Sequence, residues 1–144
     1  MIEKRQFYIN GQWVETIDGR DHNVINPSTE EACAVISLGG PEDANAAVAA
    51  AKAAFPTWMK TPVEERVALF KKFLELYEQR SEDMAQTISL EMGAPIDMAR
   101  QQQVTTGTFH VNGFLHAIEN FKFDRPLGDH APEDRIIYEP IGVC

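Results

Sequence analysis

Short apolar runs separated by turn-forming residues begin the chain, and this pattern is typical of β-strands. Phe7-Tyr8-Ile9 and Trp13-Val14 lie on either side of Asn10-Gly11. This dipeptide accepts the two positive φ angles of a type I′ turn, so the sequence predicts a hairpin. Residues 24–26 and 32–38 predict a second antiparallel pair, because turn formers separate them.

The apolar spacing becomes helical after Gly39-Gly40. Pro41 suits the first position of a helix, and Glu42 and Asp43 favour the positive end of its dipole. Apolar residues then recur every three or four positions and predict one stripe that packs against a neighbour. The stripe comprises Ala44, Ala47, Val48, Ala51, Phe55 and Trp58. We expect Pro56 to end or bend this helix.

Further helical segments follow. Thr61-Pro62-Val63-Glu64 has the form of a capping box and predicts the start of a second helix. Its apolar stripe comprises Val63, Val67, Phe70, Leu74 and Tyr77. Ser81-Glu82-Asp83 begins a third helix, and Gly93 is its predicted C-cap. A fourth helical pattern covers residues 95–121, with a kink or break expected near Gly107.

The last part of the chain loses the helical pattern. Between residues 123 and 134, one glycine and two prolines favour an irregular or edge-like connection. Residues 135–144 have the pattern of a strand that is interrupted at Pro140. An apolar strand needs partners at its edges and cover on its faces, yet nothing follows to form a parallel sheet. We therefore expect the chain to be the front part of a larger protein.

Composition excludes several classes of partner. The chain has 22 acidic and 13 basic residues and a formal net charge of -9, which repels nucleic acid and anionic membrane surfaces. No apolar run approaches the ~20 residues of a membrane span, and no signal-peptide pattern follows Met1. We expect a cytoplasmic protein with no nucleic-acid or membrane partner, whose Cys33 and Cys144 remain free thiols.

The motifs that usually carry chemistry are missing from the sequence. It contains no Gly-x-Gly-x-x-Gly, no Walker loop, no Gly-x-Ser-x-Gly, and no metal-binding spacing among its 4 histidines. Paired carboxylates such as Glu42-Asp43 lie at predicted turns or helix starts, where we interpret them as partners of the helix dipole. Cys33 is interpreted as a small strand hydrophobe. Glu91 differs from these paired carboxylates and is a candidate ligand, because it lies at the end of an apolar helix beside Gly93.

A series of ordered motifs covers nearly all of residues 7–144 and resembles the NAD(P)-dependent aldehyde dehydrogenase superfamily. The motifs are Phe7-Tyr8-Ile9-Asn10-Gly11-Gln12-Trp13, Ile25-Asn26-Pro27-Ser28-Thr29-Glu30, Glu42-Asp43 with the helix to Trp58, Glu91-Met92-Gly93-Ala94-Pro95 and Glu139-Pro140-Ile141-Gly142-Val143. The resemblance implies a mixed α/β fold, the N-terminal part of the aldehyde dehydrogenase fold. Antiparallel hairpins precede about four helices and a terminal strand, and the Rossmann-like sheet is incomplete.

The resemblance also implies a division of the chain. Residues 1–122 would form the N-terminal part of the cofactor-binding domain, and residues 123–140 would supply strands of the oligomerisation region. Residues 141–144 would begin the strand that leads into the cofactor site. Exposed helix faces without their usual cover predict poor solubility or oligomers for the isolated chain.

The implied activity is the oxidation of an aldehyde to a carboxylic acid through a cysteine thiohemiacetal, with NAD or NADP as cofactor. The family's catalytic and cofactor-binding residues come after position 144, so none is assigned here. Cys144 matches a strand residue ahead of the cofactor site and is not assigned as the nucleophile. We expect neither turnover nor cofactor binding from this chain alone.

The remaining implied features concern a cation and a partner. Some family members bind a monovalent cation through backbone carbonyls near the Asn-Pro motif and a later acid, and Val24, Ile25 and Glu91 match those positions. Glu91 stands where cation-binding members often have aspartate. A homo-oligomer is implied through the strands of residues 123–140. The alternative is a non-catalytic short product that associates with full-length dehydrogenase subunits.

Overall fold

Strands occupy both ends of the chain, and helices occupy its middle. A computed structural model describes residues 1–144. In chain order the elements are β1 (Ile2–Lys4), β2 (Phe7–Ile9), β3 (Gln12–Val14), β4 (Arg20–Asn26), β5 (Glu31–Leu38), α1 (Pro41–Trp58), α2 (Val63–Gln79), α3 (Ser81–Met92), α4 (Ile96–Met98), a π-helical turn (Ala99–Gln103), α5 (Val104–Asn120), β6 (Asp124–Gly128) and β7 (Ala131–Ile137). None of the helices combines the length and apolar character needed to cross a membrane.

Both predicted antiparallel pairs near the N-terminus are confirmed. In the first, β2 and β3 pair so that Tyr8 faces Trp13, and Asn10 and Gly11 adopt φ angles of 52° and 77°. In the second, β4 pairs antiparallel with β5. The short strand β1 adds to the other side of β5 in parallel, and the sequence did not predict it. The resulting three-stranded sheet has the order β1-β5-β4.

Helix termini agree with local sequence signals in some places and differ in others. Pro41 is the first residue of α1, and Gly93 caps α3 with a φ of 72°, as predicted. The capping box at residues 61–64 is wrong, because α2 has Pro62 as its N-cap and no side-chain cap bond. The helix begins one residue later than the box requires, so Glu64 is not at the third helical position.

The irregularity in the last helical segment lies before the predicted break. A π-helical turn at Ala99–Gln103 connects α4 to α5, whereas Gly107 lies inside regular α5. Gly107 has a packing role instead. A Cβ atom at this position would overlap the Tyr77 hydroxyl, which donates a hydrogen bond to the Val104 carbonyl at 2.9 Å.

The core consists of small clusters, and most apolar faces lack cover. Val67, Leu115 and Ile118 form one cluster, and Ala85, Ala99 and Val104 form another. Only 8 of 144 residues are buried, and no large side chain is fully buried. The predicted α1 stripe is only partly covered within the chain: α1 contacts β2, but Val48 is 46% exposed and Trp58 is 48% exposed.

The C-terminal part contains paired strands where the local pattern favoured an irregular or edge-like connection followed by a strand over residues 135–144. Residues 124–137 form a hairpin in which Arg125 faces Ile136, with a register shift between Pro126 and Gly128. The strand predicted for residues 135–144 ends at Ile137, and residues 141–144 form no strand. A strand needs hydrogen-bonding partners, and no other segment of the chain lies alongside these residues to provide them.

Candidate functional site

The end of β4 meets the end of α3, and this contact brings two motifs that are distant in sequence together. A Cβ atom on Gly93 would lie 2.6 Å from Cγ of Pro27, so the proline ring packs directly on the glycine backbone. The Gly93 amide donates to the Ser89 carbonyl at 3.1 Å, and the Ser89 hydroxyl donates to the Ala94 carbonyl at 2.8 Å. We call residues 24–28 and 89–95 the β4–α3 junction.

Asn26 organises the turn on the strand side of the junction. Its side-chain oxygen accepts a hydrogen bond from the Ser28 amide at 2.9 Å, and its backbone carbonyl accepts one from the Glu30 amide at 2.8 Å. Glu30 adopts a positive φ of 61°. An asparagine suits this position, because its short side chain bonds the backbone two residues further on. The turn therefore presents Pro27 to α3.

The residues predicted to bind a cation all lie at the junction. Val24 and Ile25 lie where the pairing of β4 with β5 shifts register: Val24 faces Ala34 and Ile25 faces Ala32, so Cys33 of β5 is the extra residue of the bulge. The Val24 carbonyl accepts a bond from the Cys33 thiol at 3.3 Å. Glu91 lies in the last turn of α3, is exposed, and its carboxylate forms no hydrogen bond or ion pair. No group of three or more histidine, cysteine, aspartate and glutamate side chains could hold a metal ion.

Asp43 is a buried carboxylate whose role the sequence analysis missed. It is 5% exposed, and its oxygens accept bonds from the Ile17 amide at 2.7 Å and the Gly40 amide at 3.0 Å. The hydrogen bond from Ile17 is the main reason that the pKa of Asp43 is lowered. Asp43 does lie with Glu42 in the first turn of α1, as predicted, and it also accepts from the N-cap amide of Gly40 and from the distant Ile17 amide. Its spacing of three residues from Gly40 was the available signal.

The chemistry that these groups offer is binding and positioning. Amide, carbonyl and carboxylate oxygens of the junction suit a hard cation, and Asp43 joins the start of α1 to the loop before β4. All 4 histidines are exposed, Cys33 is half-buried, and Cys144 is exposed. The junction contains no histidine or cysteine that could act as a base or a nucleophile.

Comparison with known proteins defines the class to which this fold and junction belong. The model of the aldehyde dehydrogenase family matches residues 13–144. The chain therefore belongs to the aldehyde dehydrogenase family. It is 36% identical to a 3-succinoylsemialdehyde-pyridine dehydrogenase of Pseudomonas sp. over 145 residues, covering 100% of this chain and 30% of that relative.

Solved structures place the same fold in the N-terminal region of aldehyde dehydrogenases. An aldehyde dehydrogenase from Bartonella henselae superposes with a TM-score of 0.87 at 53% identity, covering 90% of this chain and 27% of that one. A mutant of aldehyde dehydrogenase C from Pseudomonas syringae, in complex with NAD+ and octanal, superposes with a TM-score of 0.83 at 39% identity. This match covers 86% of this chain and 26% of that one. The chain thus spans less than a third of the length of the relatives it matches.

Proposed function

We propose that this chain supplies the N-terminal part of a cytoplasmic NAD(P)-dependent aldehyde dehydrogenase, which oxidises an aldehyde to a carboxylic acid through a cysteine thiohemiacetal. The observation that carries the proposal is the family match over residues 13–144. The NAD+ and octanal bound by the Pseudomonas syringae relative support the cofactor and the substrate class. Catalysis in this proposal requires residues outside the present chain.

The chain's own contribution would be structural. Residues 1–122 would form the N-terminal part of the cofactor-binding domain, residues 123–140 would supply strands of the oligomerisation region, and residues 141–144 would begin the strand that leads into the cofactor site. The uncovered helix faces support this division: Leu69 and Phe73 of α2 are 55% and 51% exposed. Large apolar side chains of this kind ordinarily mark a surface on which other protein packs.

The test compares NADH formation by two proteins, with octanal and NAD+ as substrates. We expect no NADH from the 144-residue chain. We expect turnover from a chimera in which this chain replaces the matching part of the Pseudomonas syringae relative. A chimera with its nucleophilic cysteine replaced by alanine is the control. Turnover by the 144-residue chain would contradict the proposal, and so would a folded chimera that forms no NADH.

The β6–β7 hairpin supports a second candidate function, association with full-length dehydrogenase subunits without catalysis. The hairpin is a two-stranded ribbon that pairs with no third strand, so its outer edges have free backbone groups. Such edges accept a strand from another chain. The same surface would support a homo-oligomer. Mixing the chain with a full-length relative should give co-elution and altered activity; separate elution and unchanged activity would exclude this function.

We also propose that the Val24 and Ile25 carbonyls and the Glu91 carboxylate bind a monovalent cation. The break in the β4–β5 ladder beside Val24 and Ile25 and the exposed Glu91 carboxylate support this assignment. Crystals soaked in thallium should show an anomalous peak at the junction, and the peak should be lost in Glu91→Gln. Glu78→Gln, which changes another unpaired carboxylate, should retain it. A wild-type crystal without the peak would contradict the assignment.

A further inference from the structure

Aromatic side chains hold together the base of the β6–β7 hairpin. The ring of Phe121 lies 4.8 Å from that of Phe123 and 5.1 Å from that of Tyr138, centroid to centroid. The Tyr138 amide donates a hydrogen bond to the Phe123 carbonyl at 2.8 Å. This bond closes the hairpin at the residue that directly follows β7. We call these three residues the hairpin root.

The hairpin root is the place where the hairpin attaches to the helical body. Phe123 packs against the cluster formed by Val67, Leu115 and Ile118. Beyond the root, β6 and β7 contact mainly each other, and neither strand packs extensively against another strand or helix. A two-stranded ribbon without cover is only marginally stable. The direction in which the hairpin projects is therefore determined at its root.

Arg66 of α2 also contacts the hairpin root. Its guanidinium carbon lies 5.5 Å from the centroid of the Phe123 ring. Its Nε atom is buried without a hydrogen-bond partner, and its side chain forms no ion pair. A buried donor without a partner costs free energy, which attraction to the face of an aromatic ring can offset. The position of Arg66 is thus coupled to the position of Phe123.

We propose that Arg66 is a positioning residue, which acts through Phe123 to fix the direction of the β6–β7 hairpin relative to the helices. The bulky groups around this contact leave the hairpin little freedom to pivot, since Met59, Pro140 and Tyr138 line the same cleft. Removal of the Arg66 guanidinium frees the hairpin root without removing any residue of the hairpin. The consequence for assembly rests on the proposed function, because the hairpin is the proposed assembly surface.

Hydrogen–deuterium exchange of the whole chain tests the positioning role. In Arg66→Met, the amides of residues 124–138 should exchange about two- to thirty-fold faster, the range of a cation–π contact. The α3 amides should exchange as in the wild type, and Arg66→Lys should retain most of the protection. Arg80→Met, which removes an exposed arginine without a side-chain partner, is the matched control and should leave the hairpin unchanged.

A second comparison separates coupling from loss of folding. Phe123→Leu keeps an apolar group on the core but removes the ring, so the double variant with Arg66→Met should exchange no faster than Phe123→Leu. Unchanged exchange in Arg66→Met, faster exchange throughout the chain, or additive effects in the double variant would each overturn the proposal. Hydrogen–deuterium exchange is measured on the chain alone, so it tests only the positioning role of Arg66. Failure of the proposed association would instead appear as absence of co-elution with the full-length relative.

Discussion

The ring of Pro27 packs against the backbone of Gly93 and leaves no room for a side chain there. A Cβ atom on Gly93 would lie 2.6 Å from Cγ of Pro27, and Gly93 also has the left-handed φ of 72° that caps α3. The glycine thus meets two requirements, a local one from the helix end and a distant one from the β4 turn. The β4–α3 junction depends on this contact.

Gly93→Ala should destabilise the chain by about 2–4 kcal/mol, because a left-handed non-glycine residue and an overpacked contact each carry a cost. Urea unfolding followed by circular dichroism measures the change. The control is Gly11→Ala, since Gly11 has a similar φ of 77° but no atom within 4 Å of its added Cβ. Gly11→Ala should cost about 1–2 kcal/mol. Equal losses in the two variants would show that Pro27 contributes nothing.

The two glycines of α5 should respond to alanine in opposite directions. Gly107→Ala should destabilise the chain by about 1–3 kcal/mol, because its Cβ would meet the Tyr77 hydroxyl. Gly113 has no atom within 4 Å of an added Cβ, so Gly113→Ala should stabilise the chain by about 0.5–1 kcal/mol through helix propensity. Thermal melts of both variants test the contrast. A stabilising Gly107→Ala would contradict the packing of Tyr77 on α5.

Asp43 should make stability depend on pH in the acid range. Hydrogen bonds, first from the Ile17 amide, lower the pKa of Asp43 below its ordinary value of 3.8. A carboxylate with a lowered folded-state pKa adds stability above its unfolded pKa, and that stability is lost as pH falls through the folded pKa. Asp43→Asn should therefore be less stable near neutral pH and lose less stability on acidification. Urea midpoints at a series of pH values test this, with exposed Glu42→Gln as the control.

Glu82 should make stability depend on pH with the same sign. Hydrogen bonds from Arg100, at 2.9 Å and 2.6 Å, are the main cause that lowers the pKa of Glu82 from 4.5 to about 2. Its contribution is present above pH 4.5 and is lost as the pH falls towards about 2. Direct titration of Glu82 by carbon-13 NMR tests the shift. Arg100→Gln should return the pKa towards 4.5, whereas a pKa that stays low would exclude Arg100 as its cause.

Features that depend only on residues adjacent in the sequence could be predicted from it. Asn10-Gly11 determined the first hairpin, Pro41 the start of α1, and Gly93 the end of α3, because each residue type has its own backbone preference. The order of motifs identified the family. Local signals also misled, since Thr61 and Glu64 form no capping box once Pro62 takes the cap position.

The sequence by itself determined the β2–β3 and β4–β5 pairs and the succession of long helices after them, since these follow from backbone preferences and from the spacing of apolar residues. Only the tertiary structure decided which residues far apart in sequence meet: Pro27 with Gly93, Asp43 with Ile17, and Arg66 with Phe123. It also decided that the α1 stripe is only partly covered and that residues 124–137 form a hairpin. Packing and strand pairing require a partner in space, and a periodic pattern shows only that a partner is needed.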